Sequence, residues 1–310
     1  YLFFGSNYIS AMQVNIVLIA MLSFFVYQLT KYLNHNDELS ALMAVIIANT
    51  LPLSHTYARM LRVEYAMAVF MLIWIFYLIQ SEELTNKRCV RLLGIWLGLG
   101  LLTKSIFPMY IFGAVAFVLF RIVRSRDVSK IKIVVKHLIT IGVIGFIIAS
   151  TWYLFNLKPM FTYATQISFG KPSHWYGVGD GSFFSSCYLY VKNILYECIS
   201  LFYGILFVLC SIVLFVKKKN ILKGKAVMVC SMAVSTFFLL ISTNKSIQFS
   251  LPVMMLCAIL LAIMLSEILR KWGFLVLSIP LLVFLISPFS NRAMSENIFR
   301  PPHITFQASP

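Results

Sequence analysis

Apolar runs long enough to enter a bilayer recur along almost the whole length of this chain. A helix needs about 17–25 predominantly apolar residues to cross the hydrocarbon core. The chain offers ten apolar segments, at about 11–29, 39–54, 64–80, 92–103, 105–120, 138–156, 194–216, 226–243, 247–269 and 272–289. The second and fourth are short. They fit tilted, re-entrant or bundle-buried helices, where neighbours satisfy the backbone. Only 12% of residues are charged, against about 25% in soluble domains. A porin-type barrel would show short alternating segments, and the sequence has none. The expected fold is an all-α polytopic transmembrane bundle of about ten spans, one transmembrane domain over residues 1–310.

Charge placement orients the spans. The chain carries 26 basic and 10 acidic residues, a net charge of +16. Lys and Arg collect in cytoplasmic loops of membrane proteins, which accounts for the excess without nucleic acid as a partner. With the start of the chain outside, every dense basic cluster falls inside: 87–91, 121–136, 217–225 and 270–271. Isolated cations fall outside. On this orientation a protein whose own start lies inside needs an odd number of spans before Tyr1. The chain opens on Tyr1 rather than Met, with no visible signal peptide. The six cysteines lack metal-site spacing such as CxxC and read as small buried hydrophobes.

The outside cations sit at helix mouths. "HTYARMLRVEYA" holds Arg59, Arg62 and Glu64; "GLLTKSIFP" holds Lys104; "TNKSIQFSLP" holds Lys245. A lone charge at a helix end often only snorkels to the interface. Several on one face are also the cations an anionic ligand needs, and ionisable groups at membrane depth are functional candidates. Arg59 and Arg62, three apart, share a face if one helix runs through both. Glu64 either neutralises Arg62 or acts on substrate. A long external stretch, about 158–192, is rich in Gly, Ser and aromatics. Its Lys171, His174, Trp175 and Tyr176 fit either an interfacial belt or a face for a sugar or acceptor. Pro108, Pro252 and Pro280 suggest kinked or broken helices. Gly94 and Gly98 form a GxxxG close-packing signal.

Four stretches, in order, resemble one family: "YLFFGSNYISAMQVNIVLIAML", "ANTLPLSHTYARMLRVEYAMAVFML", "LGIWLGLGLLTKSIFPMYI" and "NKSIQFSLPVMMLCAILLA". Together they resemble the polytopic GT-C glycosyltransferases of the dolichyl-phosphate-mannose protein mannosyltransferase type, which include bacterial aminoarabinose transferases. Two stretches depart from the pattern. The family has Gly-Pro soon after Thr-Lys, where this chain reads Ser105-Ile106-Phe107-Pro108. It has Arg-Tyr before Leu-Leu-Pro, where this chain reads Gln248-Phe249-Ser250-Leu251-Pro252. The resemblance implies transfer of a sugar from a polyprenyl phosphate to protein, lipid A or an envelope glycan, outside the cytoplasm at a bacterial plasma membrane. It makes Arg59, Arg62, Lys104 and Lys245 candidates for the lipid phosphate and Glu64 a candidate catalytic acid, and it admits a divalent cation. The family's principal acidic residue lies in the first external loop, which here would precede Tyr1. A secondary transporter would show internal repeats and mid-membrane charges. A lipid-linked saccharide flippase or polymerase, and a non-catalytic scaffold, share the basic residues and stay open on sequence alone.

Overall fold

The structure, a computed structural model, describes residues 8–59, 62–169, 183–216, 225–242 and 246–290. Helices follow one another with no strand among these residues: α1 (Tyr8–Leu33), α2 (Glu38–Thr50), α3 (Pro52–Ala58), α4 (Val63–Gln80), α5 (Lys87–Thr103) and α6 (Phe107–Ser125). After them come α7 (Val128–Phe169), α8 (Phe183–Asn193), α9 (Leu201–Val216), α10 (Ala226–Ile241), α11 (Leu251–Leu269) and α12 (Ser278–Ser290). A π-helical turn, Ile194–Ile199, joins α8 to α9, and 3₁₀ turns at Ile247–Ser250 and Arg270–Leu277 flank α11.

Helix starts are chemically marked. The Asp37 carboxylate accepts from the Leu39 N–H at 3.2 Å, and the Asn86 side chain accepts from Arg88 N at 3.0 Å. Each satisfies a donor that the first turn leaves unpaired. Pro52, Pro108 and Pro252 lie in the first turns of α3, α6 and α11, where the missing N–H costs nothing. Pro280 is likewise three residues into α12. These prolines therefore start helices rather than kink them, unlike the sequence expectation.

The expected all-α bundle is present, but ten spans is too many. Five helical stretches are long and apolar enough to cross a membrane among the described residues, or up to seven if each bent pair is one span. The reason is local. The second apolar segment breaks at Leu51, with α2 and α3 bent by 68°, and the seventh bends by 100° between its π turn and α9. The segments at α5 and α10 reach only 17 and 16 residues. Within the stretch read as an external loop, α7 runs on to Phe169 and α8 begins at Phe183, and residues 170–182 lie outside the described residues.

The core sits around α4 and α11. Both are apolar on every side, the pattern of a helix surrounded by others rather than of one with a single packed face. In α11 the run from Leu251 to Ser266 is buried apart from Cys257, and in α4 Met67, Met71, Leu72 and Ile75 have no exposed surface. The Trp74 indole N–H donates to Leu93 O at 3.1 Å, pinning α5 to α4. The outer helices turn apolar side chains outward, as a lipid-facing wall does. Phe155 and Phe215 are each 85% exposed.

Glycine sets two seams. A Cβ on Gly94 would lie 2.7 Å from Ile144 Cβ, and one on Gly98 would lie 2.6 Å from Ile148 Cβ. The same offset at both positions makes α5 and α7 parallel neighbours in close contact, which the GxxxG spacing anticipates. Gly113 of α6 abuts the Cys230 carbonyl of α10. The Ser231 hydroxyl donates to Tyr110 O across the same seam.

Ion pairs mark two opposite ends. Glu83, in the turn after α4, pairs with Arg121 at 2.8 Å and with Lys130. Lys31 pairs with Glu38 at 2.8 Å, and Asn34 reaches Ser266 at 3.3 Å, so the α1–α2 turn meets the last turns of α11. The other end holds Glu64 and Lys104, one α4 length away, about 27 Å at 1.5 Å per residue. The Lys130 hydrogen bond, then the charges of Arg121 and Lys130, hold the Glu83 carboxyl below its ordinary value despite partial burial. A depressed folded value stabilises above the unfolded value and is lost as pH falls through the folded one. Glu83→Gln is therefore expected to lower the melting temperature at neutral pH by the equivalent of about 1 kcal/mol. The gap to wild type should close on acidification below 4.5, the ordinary carboxyl value. A gap that stays constant across that range contradicts the assignment.

Candidate functional site

The Glu64 end is built by a tight reversal between α5 and α6. Gly100 lets the Phe107 ring close on the helix, since a Cβ there would lie 2.5 Å from ring carbons. Thr103 donates its hydroxyl to Gly100 O at 2.6 Å, and Lys104 leaves helical geometry with φ −158° and ψ 141°. The chain therefore turns at Lys104 and re-enters α6 through Phe107 and Pro108. This explains why "GLLTKSIFP" carries its lysine where it does: the residue at the apex aims across the bundle rather than along a helix.

What it meets is Glu64, in the first turn of α4. The Lys104 ammonium donates to the Glu64 carboxylate. Glu64 is 3% exposed, whereas the lysine side chain is 27% exposed. A carboxylate this deep must be paired, because desolvation of a lone charge is prohibitive. A third group completes the seat. Lys104 Nζ lies 4.3 Å from the centroid of the Phe249 ring, in the 3₁₀ turn before α11. The Tyr110 hydroxyl donates to Phe249 O at 2.8 Å, fixing that turn to α6. The neighbouring Ser250 hydroxyl lies 3.4 Å from Cys198 Sγ in the π turn. Three separate stretches of sequence thus meet at one ammonium–carboxylate pair, with the π turn packed behind the third.

The arginines behave differently from expectation. Helix α3 ends at Ala58, and α4 begins at Val63, with residues 60–61 outside the described residues. Arg59 and Arg62 do not share one helix. Arg59 caps α3 with its N–H on Thr56 O at 3.2 Å. Arg62 precedes α4 in extended geometry, with its guanidinium 5.9 Å from the Tyr57 ring centroid. Both are exposed at the same mouth as Glu64, but the partner of Glu64 is Lys104, not Arg62. Lys245 lies outside the described residues, although Ser246 and the Phe249 turn that follow it are at the site. Lys171, His174, Trp175 and Tyr176 also lie outside them.

Sequence reasoning did not single out Tyr57, Tyr110 or Phe249. All three lie within the quoted stretches: Tyr57 in "HTYARMLRVEYA", Tyr110 after the Thr-Lys motif and Phe249 before Leu-Pro. Their role depends on a contact between residues 139 apart, which no local pattern encodes. The six cysteines are all free, with Cys89, Cys198 and Cys210 buried and the others partly so. Among the described residues no three of His, Cys, Asp and Glu gather to hold a metal ion. The Glu64 carboxylate at this site is paired with Lys104.

Comparison with known proteins adds one decisive observation. Residues 1–155 match the model of the dolichyl-phosphate-mannose-protein mannosyltransferase family, half of the chain. The chain belongs to that family. The matched part includes Arg59, Arg62, Glu64 and Lys104, and ends within α7. No curated protein and no solved structure matches the chain. As a member of the dolichyl-phosphate-mannose-protein mannosyltransferase family it is a membrane glycosyltransferase, and lipid-linked sugar is the family's donor class. The Phe249 turn lies beyond the matched residues, yet packs on the lysine within them.

Proposed function

We propose that this protein moves a sugar from a polyprenyl phosphate to an acceptor hydroxyl on protein, lipid A or an envelope glycan. The reaction takes place at the non-cytoplasmic face of a bacterial plasma membrane. One observation carries the reading: a buried carboxylate and a half-covered ammonium meet at the mouths of α4 and α5. Transfer breaks the bond between the sugar's anomeric carbon and the donor phosphate oxygen, and forms a bond from that carbon to the acceptor oxygen. The leaving phosphate gains charge in the transition state, and a preorganised cation at that position lowers the barrier. Lys104 supplies that cation as a point charge; Arg59, Arg62 and Lys245 add to the positive field, the arginines as bidentate forks.

Glu64 is the proposed acceptor-orienting acid. Its pairing with Lys104 gives the two roles an order. A phosphate competes with the carboxylate for the same ammonium. Donor entry draws Lys104 toward phosphate and frees Glu64 to accept a hydrogen bond from the acceptor hydroxyl and take its proton. Lys171, His174, Trp175 and Tyr176 are proposed to face the sugar or acceptor. The chemistry assigned to these residues includes no step through a metal ion.

The test is transfer from a radiolabelled polyprenyl-phosphate sugar by purified protein in vesicles. Expected is release of lipid phosphate with label in the acceptor or, without one, in free sugar. Movement of intact donor across the vesicle without cleavage would overturn the reading in favour of a carrier. The Phe249 seat gives a graded check. Phe249→Leu removes a cation–π contact worth about 0.5–2 kcal/mol, so KM for donor is expected to rise roughly threefold to thirtyfold. Phe249→Tyr should retain wild-type KM; equal KM values in all three proteins contradict the seat.

A further inference from the structure

We propose that the corner where α5, α6 and α7 meet, at the Glu83 end, is a docking surface for anionic phospholipid headgroups. This does not rest on the sugar-transfer reading, since the corner lies a full α4 length from Glu64. Most acidic groups here are already committed. Glu83 is shared by Arg121 and Lys130, and the Asp127 carboxylate accepts from the Lys130 N–H at 3.1 Å at the start of α7.

What is left is a net positive rim, with Glu82 an exposed carboxylate beside it. Lys87, Arg88 and Arg91 of α5 are exposed. So are Arg124 and Arg126 at the end of α6, and Lys132 and Lys136 of α7. None of these has a carboxylate partner among the described residues. Two other cations at the same end are treated differently: Lys31 pairs with Glu38, and Lys225 is buried beside the charge of Glu267. Parallel packing of α5 and α7 adds to the field, because both helices present their positive N-termini to this end.

Apolar residues are interleaved with the rim. Val123, Val128, Ile133 and Val135 are all half exposed or close to it, and the outward wall continues through Ile139, Val143 and Phe146. A ligand fitting this surface carries negative charge at one level and hydrocarbon immediately beside it. An acidic peptide or nucleic acid offers only the first. An anionic phospholipid offers both, and clusters of Lys and Arg beside membrane helices recognise such headgroups.

The probes are phosphatidylglycerol and phosphatidylcholine added to the full chain in detergent micelles. Retained lipid is counted by native mass spectrometry, and the melting temperature is recorded with each. Wild type is expected to retain phosphatidylglycerol in preference, less so as salt rises, and to melt higher with it. The quadruple variant R124Q/R126Q/K132Q/K136Q is expected to retain at least about tenfold less, given roughly fivefold per basic residue near an anionic surface. Its melting temperature without added lipid reports whether it folds. Should it unfold, the pair R88Q/R91Q carries the same test. The variant R270Q/K271Q, exposed at the same end, is expected to change retention little. Equal retention of the two lipids by wild type overturns the proposal, as does undiminished retention in the folded rim variants. So does an equal fall in R270Q/K271Q, which would mean charge alone and not this corner. An acidic peptide that displaces the lipid and restores the same melting temperature would also overturn it.

Discussion

Lys104→Ala is expected to lower both stability and sugar transfer, and a second substitution should separate the two effects. Removing the ammonium leaves Glu64 buried and unpaired. Breaking a buried pair from one side costs about 3–5 kcal/mol, and the partial exposure of Lys104 puts this one at the lower end. The transfer rate should fall roughly a hundredfold or more, the usual loss when one charge-stabilising donor is removed. Adding Glu64→Gln removes the stranded charge. The double variant K104A/E64Q is expected to recover most of the melting temperature and none of the activity. Activity that returns together with stability would mean the pair is only a structural clip. Glu64→Gln alone should fold well, because a neutral amide still accepts from Lys104, and should transfer slowly for lack of an ionised carboxylate.

Gly113→Ala has the second largest expected effect, on assembly rather than chemistry. Its new methyl group would collide with the Cys230 carbonyl and the Ser231 backbone of α10. Backbone cannot rotate away as a side chain can, so α6 and α10 must separate. Overpacking of this kind typically costs about 1–3 kcal/mol. The Ser231 and Ser235 hydroxyls, which bond the Tyr110 carbonyl across the seam, would be strained as well. Tyr110 anchors the Phe249 turn, so donor KM should rise with the loss of stability. Gly142→Ala is the matching control: nothing lies within 4 Å of its added methyl group. Alanine there also favours helix over glycine by about 1 kcal/mol. Equal melting temperatures for the two variants would contradict the α6–α10 packing.

Apolar run length found the all-α architecture because it is a local property. The ten apolar segments are helical over their described residues, some of them broken, since a run of apolar residues in this length range has few other stable states. The count of spans went wrong at local breaks that an apolar run does not mark. Leu51 ends α2 with ψ 132°, and Ser200 holds φ 73° after the π turn. Neither bend is announced by composition, and an apolar run reads the same across a break. Pro108 and Pro252 were visible, but a proline in a helix's first turn and one in its middle look alike in a window of sequence.

The site was legible as a set of residues and not as a set of contacts. Glu64 and Lys104 stood out because charges are rare in this chain and both sit at helix mouths. Their pairing could not be read from sequence, and Arg62, only two residues from Glu64, was the nearer candidate. The break between α3 and α4 sends Arg62 toward Tyr57 instead, and the α5–α6 reversal brings Lys104 across. Phe249 was seen only as a departure from a family pattern. Its place over Lys104 follows from tertiary packing through Tyr110.

Binding of a sugar-free polyprenyl monophosphate to the protein in nanodiscs tests the account most directly. The affinity of three proteins is compared by titration: wild type, Lys104→Gln and Glu64→Gln. If phosphate takes the ammonium from the carboxylate, wild type binds saturably, Lys104→Gln binds far more weakly, and Glu64→Gln binds more tightly than wild type because the competing anion is gone. Indistinguishable dissociation constants for the three would contradict it.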